Sequence, residues 1–575
     1  MAKLLRPVLV SASLLALSAC ATAGPPPVAG APAPRPSVAT ESSSVYGYYL
    51  AGQVAAGSGD SQAAAEFYQR AHAADPATNF VGEQLFTSTL LAGDVTRAAA
   101  LAPAAGEAAP ATRALGLLTQ AVEAMAEGRN AEAQARLNEP DATAVNPAPV
   151  QLLRPWVAAA MGHWSDALAT PSTGDRIVKL VAGLGQAQLF ERARRYPEAE
   201  TAFNALLADK AGQAFVTPAY GLFLERRGRR AEAIAAYDQV LADAPDDVSV
   251  AAARARAVAK GTPPPQLSLR EGAAQALMVP TAIVLADKQP DLGLIYLHLI
   301  LRLDPRKDDA LLLEGDVVGS TGNTEDSRAA YLQIGPKSPR YADARERLVW
   351  SYQADDKITA LKVARETVAQ LPTNDEAKLT LADVLRADER FEESARVLDP
   401  LILAAGADAD WRLYYMRAVA LERSGRWPDA ERDLTRALSI KPDQPEILNY
   451  LGYSWVNRGQ KLKEGLEMIQ KAVDAQPEEG AYVDSLGWAY FRLGDYPNAI
   501  STLERAVSLD ASDAEINDHL GDAYWRGGRH DEARFQWSAV LSLSPSPDIK
   551  ARCEAKLASS LGPDVEIKPA AVASQ

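Results

Sequence analysis

The 575-residue chain is too long for one compact hydrophobic core, so it should form several domains or a repeat array. Hydrophobic residues make up 47% and charged residues 23% of the chain, which is a globular composition. The formal net charge is −15 and no dense Lys/Arg tract offsets it. Because phosphate binding requires concentrated positive charge, the composition predicts no nucleic-acid partner.

Residues 1–19 are predicted to be a targeting segment rather than part of the fold. Two basic residues precede an apolar stretch at 7–17 that is too short to span a bilayer as a helix, which needs ~20 apolar residues. The segment ends in Leu-Ser-Ala-Cys, which resembles the bacterial lipobox. The resemblance implies cleavage before Cys20 and acylation of that cysteine with fatty acids such as palmitate. With Ala21 next in place of Asp, it implies sorting to the periplasmic face of the outer membrane. The alternative is an ordinary signal peptide with an incidental cysteine.

Residues 20–44 are rich in Pro, Ala and Ser and lack a hydrophobic period. This composition predicts an extended tether between the membrane and the folded body. Contact with the membrane is therefore expected through the lipid anchor alone. Cys553 is the only other cysteine, so no disulfide within the chain is expected, and its spacing from Ile549 and Leu557 predicts a buried position on a last helix.

The C-terminal half contains a repeat whose copies end in helix-terminating or small residues. Pro442, Pro477, Ala511 and Pro545 mark these ends and lie 35, 34 and 34 residues apart. The last three copies have a Leu-Gly pair in the first helix, at 451–452, 486–487 and 520–521, and all four copies have a small residue in the second. The small residues of the second helix are Ala430, Gly465, Ala499 and Ala533. The pattern resembles the tetratricopeptide repeat, which implies an all-α fold, an α-solenoid made as a superhelix of antiparallel helix pairs.

The repeat pattern is weaker in the N-terminal half than in the C-terminal half, and this difference predicts the domain organisation. A degenerate N-terminal array is expected at 45–260, followed by a joint at 261–266 (GTPPPQ) and a C-terminal array at 267–547. A capping helix is expected at 548–561, since the last repeat needs a solvating cap, and a disordered tail at 562–575. We count about thirteen or fourteen helix pairs, and the helix junctions in the degenerate array are expected at Gly93-Asp94, Gly128-Arg129 and Gly162-His163.

The sequence carries no motif of a catalytic centre. There is no phosphate-binding loop, no Gly-x-Ser-x-Gly elbow and no His-Glu-x-x-His. Five histidines are dispersed along the chain, and His519 and His530, which share a repeat, have no Cys or His partner at ligand spacing. We therefore expect a protein that is not an enzyme and that needs no metal or other cofactor.

A helical period of 3.6 divides the first helix of the repeat at 480–513 into two stripes. The stripe expected to pack on neighbouring helices is Val483, Leu486, Gly487, Tyr490 and Leu493. The stripe expected to face a groove is Asp484, Trp488 and Phe491. The same register in the neighbouring repeats adds Tyr415, Met416, Asn449, Tyr450, Tyr453, Asp518, His519, Asp522 and Trp525. We expect these residues to bind a neutral or basic apolar segment of a protein partner; the alternative is that the aromatic residues brace adjacent helices.

The runs at 450–459 (YLGYSWVNRG), 484–494 (DSLGWAYFRLG) and 516–537 resemble one group of outer-membrane tetratricopeptide lipoproteins of Gram-negative bacteria. That group includes the adaptor of the periplasmic carboxyl-terminal processing protease. The resemblance implies a non-catalytic scaffold that recruits the protease and its cell-wall-hydrolase substrates to the membrane. The alternative function is an assembly or secretion factor for an envelope polymer, such as a pilus or an exopolysaccharide.

Overall fold

The computed structural model describes residues 44–170, 176–208, 210–245, 247–406 and 409–558. The predicted signal segment, Cys20, the tether up to residue 43 and the predicted tail at 562–575 lie outside these ranges. The regular elements of the described residues are thirty α-helices and one short 3-10 helix, with no strand among them. The predicted all-α fold of antiparallel helix pairs is confirmed.

The described chain divides into two compact units, at 44–363 and 364–558. A 3-10 helix at Pro140–Thr143 belongs to the first unit, and α19 (Lys357–Gln370) crosses the boundary. The α-helices of the first unit are α1 (Val45–Gly57), α2 (Ser61–Ala74), α3 (Asn79–Leu91), α4 (Val95–Leu101), α5 (Pro110–Ala126), α6 (Asn130–Asn138), α7 (Pro147–Ala160), α8 (Trp164–Ala167), α9 (Arg176–Arg192), α10 (Tyr196–Leu207), α11 (Lys210–Arg226), α12 (Arg230–Asp243), α13 (Val248–Val258), α14 (Leu269–Ala286), α15 (Pro290–Leu303), α16 (Asp308–Ser320), α17 (Thr324–Leu332) and α18 (Tyr341–Gln353).

The second unit continues the succession of helix pairs to the end of the described chain. Its helices are α20 (Asp375–Ala387), α21 (Phe391–Ala405), α22 (Trp411–Arg423), α23 (Trp427–Ile440), α24 (Pro445–Asn457), α25 (Leu462–Ala475), α26 (Gly480–Leu493), α27 (Tyr496–Leu509), α28 (Ala514–Arg526), α29 (His530–Val540) and α30 (Pro547–Ala558). The last helix, α30, covers most of the predicted capping helix, and Cys553 on it is buried as expected. None of the helices in the described part of the chain is both long enough and apolar enough to cross a membrane.

The two helices of a pair approach closely because the small residues of the repeat lie between them. A Cβ atom on Gly452 of α24 would lie 2.8 Å from the backbone oxygen of Gly465 on α25. A Cβ atom on Gly487 of α26 would lie 2.6 Å from Cγ of Leu503 on α27. Both distances are shorter than van der Waals contact, so glycine at these positions allows the two helices to pack closely.

The predicted junctions of the degenerate array are also confirmed. Gly93, Gly128 and Gly162 each lie between the two helices of a pair, with φ of +82°, +79° and +80°. These left-handed conformations are costly for residues with a Cβ and are easily adopted by glycine. The array therefore keeps its helix–turn–helix geometry in the region where its sequence pattern is weak.

A helical hairpin made of α14 and α15 gives the first unit an additional layer. Residues 261–268, which contain the predicted joint, have no regular secondary structure. After them, α14 packs on α7 and α9, and α15 packs on α3, α4 and α5. We call the helix that opens each helix pair its first helix. In this part of the first unit the first helices are α3, α5, α7 and α9. The hairpin therefore covers the face that the first helices of this unit share, and the predicted joint lies inside the unit.

Both apolar packing and polar contacts hold the hairpin on this face. The guanidinium of Arg302 on α15 donates to both carboxylate oxygens of Glu123 on α5, at 2.7 and 3.0 Å. His298 Nδ1 donates to the backbone oxygen of Leu90 at 2.7 Å. Burial alone would raise the pKa of Glu123, but the hydrogen bonds from Arg302 and Thr96 hold that pKa below its ordinary value. The hairpin is thus held to the first unit by hydrogen bonds and by burial in its hydrophobic core.

Candidate partner-binding surface

The twelve residues predicted to line a groove lie on four successive first helices of the second unit, α22, α24, α26 and α28. We call this set the inner stripe. Seven of its members are buried: Tyr415, Asp484, Trp488, Phe491, Asp518, His519 and Asp522. Five are partly exposed: Met416, Asn449, Tyr450, Tyr453 and Trp525. The structure therefore leaves fewer than half of the predicted residues in reach of solvent, and the ring of Trp525 lies 5.6 Å from that of Trp537 on the second helix of its own pair.

The division of α26 into a packing stripe and a groove stripe needs correction. Trp488 and Phe491, expected to face an open groove, retain only 4% and 8% of their surface exposed. Tyr490, expected to be the packing aromatic residue, is partly exposed, and Leu493 is exposed. The physical reason is that α28, the first helix of the next repeat, packs on this side of α26, where His519 of α28 stacks on the ring of Trp488.

Trp488 is the centre of the contact between α26 and α28. Its ring stacks on Phe491 at a centroid distance of 4.7 Å and on His519 at 4.1 Å. Nδ1 of His519 lies 3.0 Å from both carboxylate oxygens of Asp484. These four side chains, from two adjacent repeats, brace the helices that carry them.

The contact with Asp484 favours the protonated form of His519. Burial alone would lower the pKa of His519, but the carboxylate of Asp484 outweighs burial and raises this pKa to about 9. The ordinary histidine pKa is ~6.5, so folding favours the protonated ring. A raised pKa contributes stability that is fully present below pH ~6.5 and is lost as pH rises toward 9.

We therefore expect the free energy of unfolding of the second unit to fall by up to about 3 kcal/mol between pH 6.5 and 9. Urea unfolding across this pH range measures the change, and His519→Gln should remove most of the dependence. His530 is exposed, so His530→Gln is the matched control and should leave the dependence as in the unchanged chain. Equal pH profiles for the two variants would contradict the charged pair.

A cluster of Lys556, Asp518 and Asp522 lies at the C-terminal end of the inner stripe. Nζ of Lys556 on α30 lies 2.6 Å from Oδ1 of Asp518 and 2.6 Å from Oδ1 of Asp522. Sγ of Cys553 donates to Asp518 at 3.2 Å, and Nε1 of Trp537 donates to Asp522 at 3.2 Å. Both carboxylates are buried, so the ammonium group of Lys556 supplies the charge that compensates them.

The two carboxylates respond differently to this shared ammonium group. Burial raises the pKa of Asp522, and the nearby charge of Lys556 only reduces that rise. For Asp518 the charges of Lys556 and Arg552 outweigh burial and hold the pKa below its ordinary value. No group of three or more His, Cys, Asp or Glu side chains suited to a metal ion occurs in the described ranges.

Sequence reasoning did not include Lys556 in the candidate site. A signal for it exists, because Arg552 and Lys556 lie four residues apart on the last helix and match the four-residue spacing of Asp518 and Asp522. The helix that carries them is predicted above to be a solvating cap, whereas in the structure Arg552 and Lys556 pair with the buried carboxylates of α28.

The part of the inner stripe on α22 and α24 is the more open one. Tyr415 meets Tyr450 edge-to-face at a centroid distance of 5.7 Å. Oδ1 of Asn449 is buried, and no donor among the described residues reaches it. Burial, followed by the charges of Glu515 and Asp484, raises the pKa of Tyr453 well above its usual value, so the phenol remains a hydrogen-bond donor. This surface offers aromatic area and a phenol donor, which suit a peptide backbone and apolar side chains, and the amide acceptor of Asn449 lies buried beneath it.

Comparisons with known proteins agree with the repeat. The tetratricopeptide-repeat family model matches residues 184–248, 379–445, 415–480 and 485–545. A TPR repeat-containing protein of Pseudomonas aeruginosa is 26% identical over 180 residues, which cover 31% of this chain and 30% of that protein. Cellulose synthase operon protein C of Escherichia coli is 24% identical over 223 residues, which cover 35% of this chain and 19% of that protein. The chain thus spans less than a third of the length of these relatives.

A solved structure, that of the APC/C hetero-tetramer Cut9-Hcn1, covers 90% of this chain and 96% of its own chain at 15% identity, with a TM-score of 0.37.

Proposed function

Because this chain is a tetratricopeptide-repeat protein, we propose that it is a membrane-anchored periplasmic scaffold that binds protein partners through the inner stripe of its second unit. The anchor is an acylated Cys20 in the outer membrane, and the lipobox-like sequence before it supports this assignment. The partners are an envelope protease of the carboxyl-terminal processing type and its cell-wall-hydrolase clients. The runs at 450–459 and 484–494 support that choice through their resemblance to protease adaptors.

The observation that carries the proposal is the unpaired Oδ1 of Asn449 beside partly exposed apolar and aromatic side chains. A buried acceptor without a donor costs roughly 1–3 kcal/mol. If the partly exposed side chain of Asn449 turns its amide outward, a peptide N–H from a partner would remove that cost, while Met416, Tyr450 and Tyr453 contact the neighbouring side chains of the same peptide. Aromatic anchors around one well-placed polar contact are typical of the energetic centre of a protein interface.

The two units differ in what covers their first helices. In the first unit the hairpin α14–α15 lies on the first helices and is held there by paired side chains. In the described part of the second unit, the extensive helix contacts join helices one or two places apart in the chain. This difference favours the second unit as the partner-binding part.

The test is direct binding of the mature chain to a purified processing protease, measured by calorimetry. Asn449→Leu should weaken binding at least tenfold without destabilising the protein, because an apolar side chain of similar size removes an unsatisfied acceptor. Asn498→Leu is the matched control, since Asn498 is exposed on the second helix α27, and it should bind like the unchanged chain. Unaltered affinity of Asn449→Leu would contradict the assigned surface.

The second candidate is a factor that assembles or secretes an envelope polymer. The similarity to cellulose synthase operon protein C favours it. Deletion of the gene separates the two proposals. A lost or altered extracellular polymer supports this candidate, and accumulation of intact cell-wall hydrolases supports the protease scaffold.

A further inference from the structure

The first helix of the described chain exposes an apolar face that carries no charge. Helix α1 has the sequence VYGYYLAGQVAAG, which contains no Asp, Glu, Lys, Arg or His. Tyr46, Leu50 and Val54 are spaced by four residues and therefore share one side of the helix. They expose 69%, 43% and 68% of their surface.

The exposed face continues onto the start of α3. The ring of Tyr49 contacts the ring of Phe80 at a centroid distance of 5.6 Å, and Phe80 is itself 52% exposed. We call Tyr46, Leu50, Val54 and Phe80 the N-terminal apolar patch. The first acidic residue after α1 is Asp60, whose carboxylate caps α2 by accepting from the backbone N–H of Ala63. Contiguous exposed apolar side chains of this kind mark interaction surfaces.

We propose that the N-terminal apolar patch rests on the lipid surface to which the chain is anchored, an inference that depends on the proposed anchor at Cys20. Helix α1 begins directly after the tether, so the patch is the part of the folded body nearest to the anchor in the chain. An extended tether of this composition reaches at most about 75 Å at ~3.1 Å per residue. Within that distance the bilayer is present at a high effective concentration, so weak apolar contacts suffice.

The chemistry of the patch fits the boundary between headgroups and acyl chains. Tyr46 combines an apolar ring with a hydroxyl group, and tyrosine is enriched at this boundary. Leu50, Val54 and Phe80 add aliphatic and aromatic area. The chain as a whole has a net charge of −15, which anionic lipids would repel, but α1 contributes none of it. The uncharged helix α1 therefore tolerates close approach to lipid.

A second copy of the chain is the competing occupant, and the size of the patch argues against it. A helix of 13 residues is about 20 Å long and about 10 Å wide. One exposed face of it offers roughly 200 Å², compared with ~800 Å² per partner in a stable interface. A lipid surface needs no such area here because the covalent anchor holds the protein in place.

The experiment uses the mature chain from Cys20, coupled through that thiol to a maleimide lipid in phosphatidylethanolamine/phosphatidylglycerol vesicles. Cys553 is buried and does not compete for coupling. Hydrogen exchange of residues 45–57 is compared between coupled and uncoupled protein, and we expect it to slow at least fivefold on coupling. Val54→Asp should abolish this protection. Val258→Asp, at a 53% exposed valine in the last turn of α13 of the same unit, should retain it.

Equal exchange in coupled and uncoupled protein would overturn the proposal. Protection of 45–57 that appears without vesicles and grows with protein concentration would also overturn it and assign the patch to a second copy. Chemical coupling makes these results independent of acylation in the cell. Acylation is tested separately by Cys20→Ala, which should release the protein from the membrane fraction; unchanged fractionation would remove the anchor and leave the vesicle result as a property of the patch alone.

Discussion

Replacing Lys556 with methionine is expected to destabilise the second unit by about 3–5 kcal/mol, because it removes the ammonium group that two buried carboxylates share. Asp518 and Asp522 each lie 2.6 Å from the ammonium nitrogen of Lys556. Arg552 remains near Asp518 at 3.4 Å, but Asp522 then has only Trp537 as a partner. Urea unfolding of the mature chain, with hydrogen exchange of residues 514–558 as the local readout, measures the loss.

Two further variants make this result specific. Lys550 is exposed on the same helix and lies 4.0 Å from Glu554, so Lys550→Met should change stability by less than about 1 kcal/mol. The triple variant Lys556→Met, Asp518→Asn, Asp522→Asn removes all three charges and should recover most of the lost stability. A small effect of Lys556→Met, or no recovery in the triple variant, would show that the buried charges do not depend on each other.

Trp156→Ala is expected to destabilise the first unit by about 3–5 kcal/mol, the usual cost of removing a buried tryptophan. Trp156 of α7 lies where α14 of the hairpin crosses, and its ring leaves no room for a side chain at Gly272. A Cβ atom built on Gly272 would lie 2.0 Å from the Trp156 ring. Trp350→Ala, at an exposed tryptophan of the same unit, is the control and should cost less than about 1 kcal/mol.

The same contact predicts a strong coupling between the two positions. Gly272→Ala alone should cost about 1–3 kcal/mol through overpacking. In the Trp156→Ala background the clash is absent, and alanine is the better helix former, so Gly272→Ala should become neutral or stabilising. Thermal unfolding, with hydrogen exchange of residues 269–303, is measured for the unchanged chain, the two single variants and the double variant. Additive effects would mean that the hairpin does not pack on Trp156.

The inner stripe combines two roles that its sequence does not separate. Trp488, His519 and Asp484 hold α26 to α28, and Lys556 closes the stripe at its C-terminal end. Asn449 and Tyr453 lie on the more open part, where an acceptor has no partner among the described residues. The bracing end also holds an unpaired group, Nε1 of Trp488, so missing hydrogen-bond partners among the described residues are not confined to the open part of the stripe.

Local features of the sequence were sufficient to predict the helix pairs. Glycine at a left-handed turn, as at Gly93, and proline in a first helical turn, as at Pro497, act through the conformations of their own residues. The close approach of Gly452 to Gly465 follows from their repeated spacing. Tethering through Cys20 and recruitment of a protease remain predictions from sequence resemblance.

The sequence by itself determined the all-helical repeat and the positions of its turns. Tertiary structure alone decided that α14 and α15 return to helices more than 100 residues earlier, because no local pattern encodes which distant face a hairpin covers. It also decided that Trp488 is buried and Tyr490 partly exposed. A helical period fixes which side chains share a face, but the neighbouring helix determines whether that face is covered.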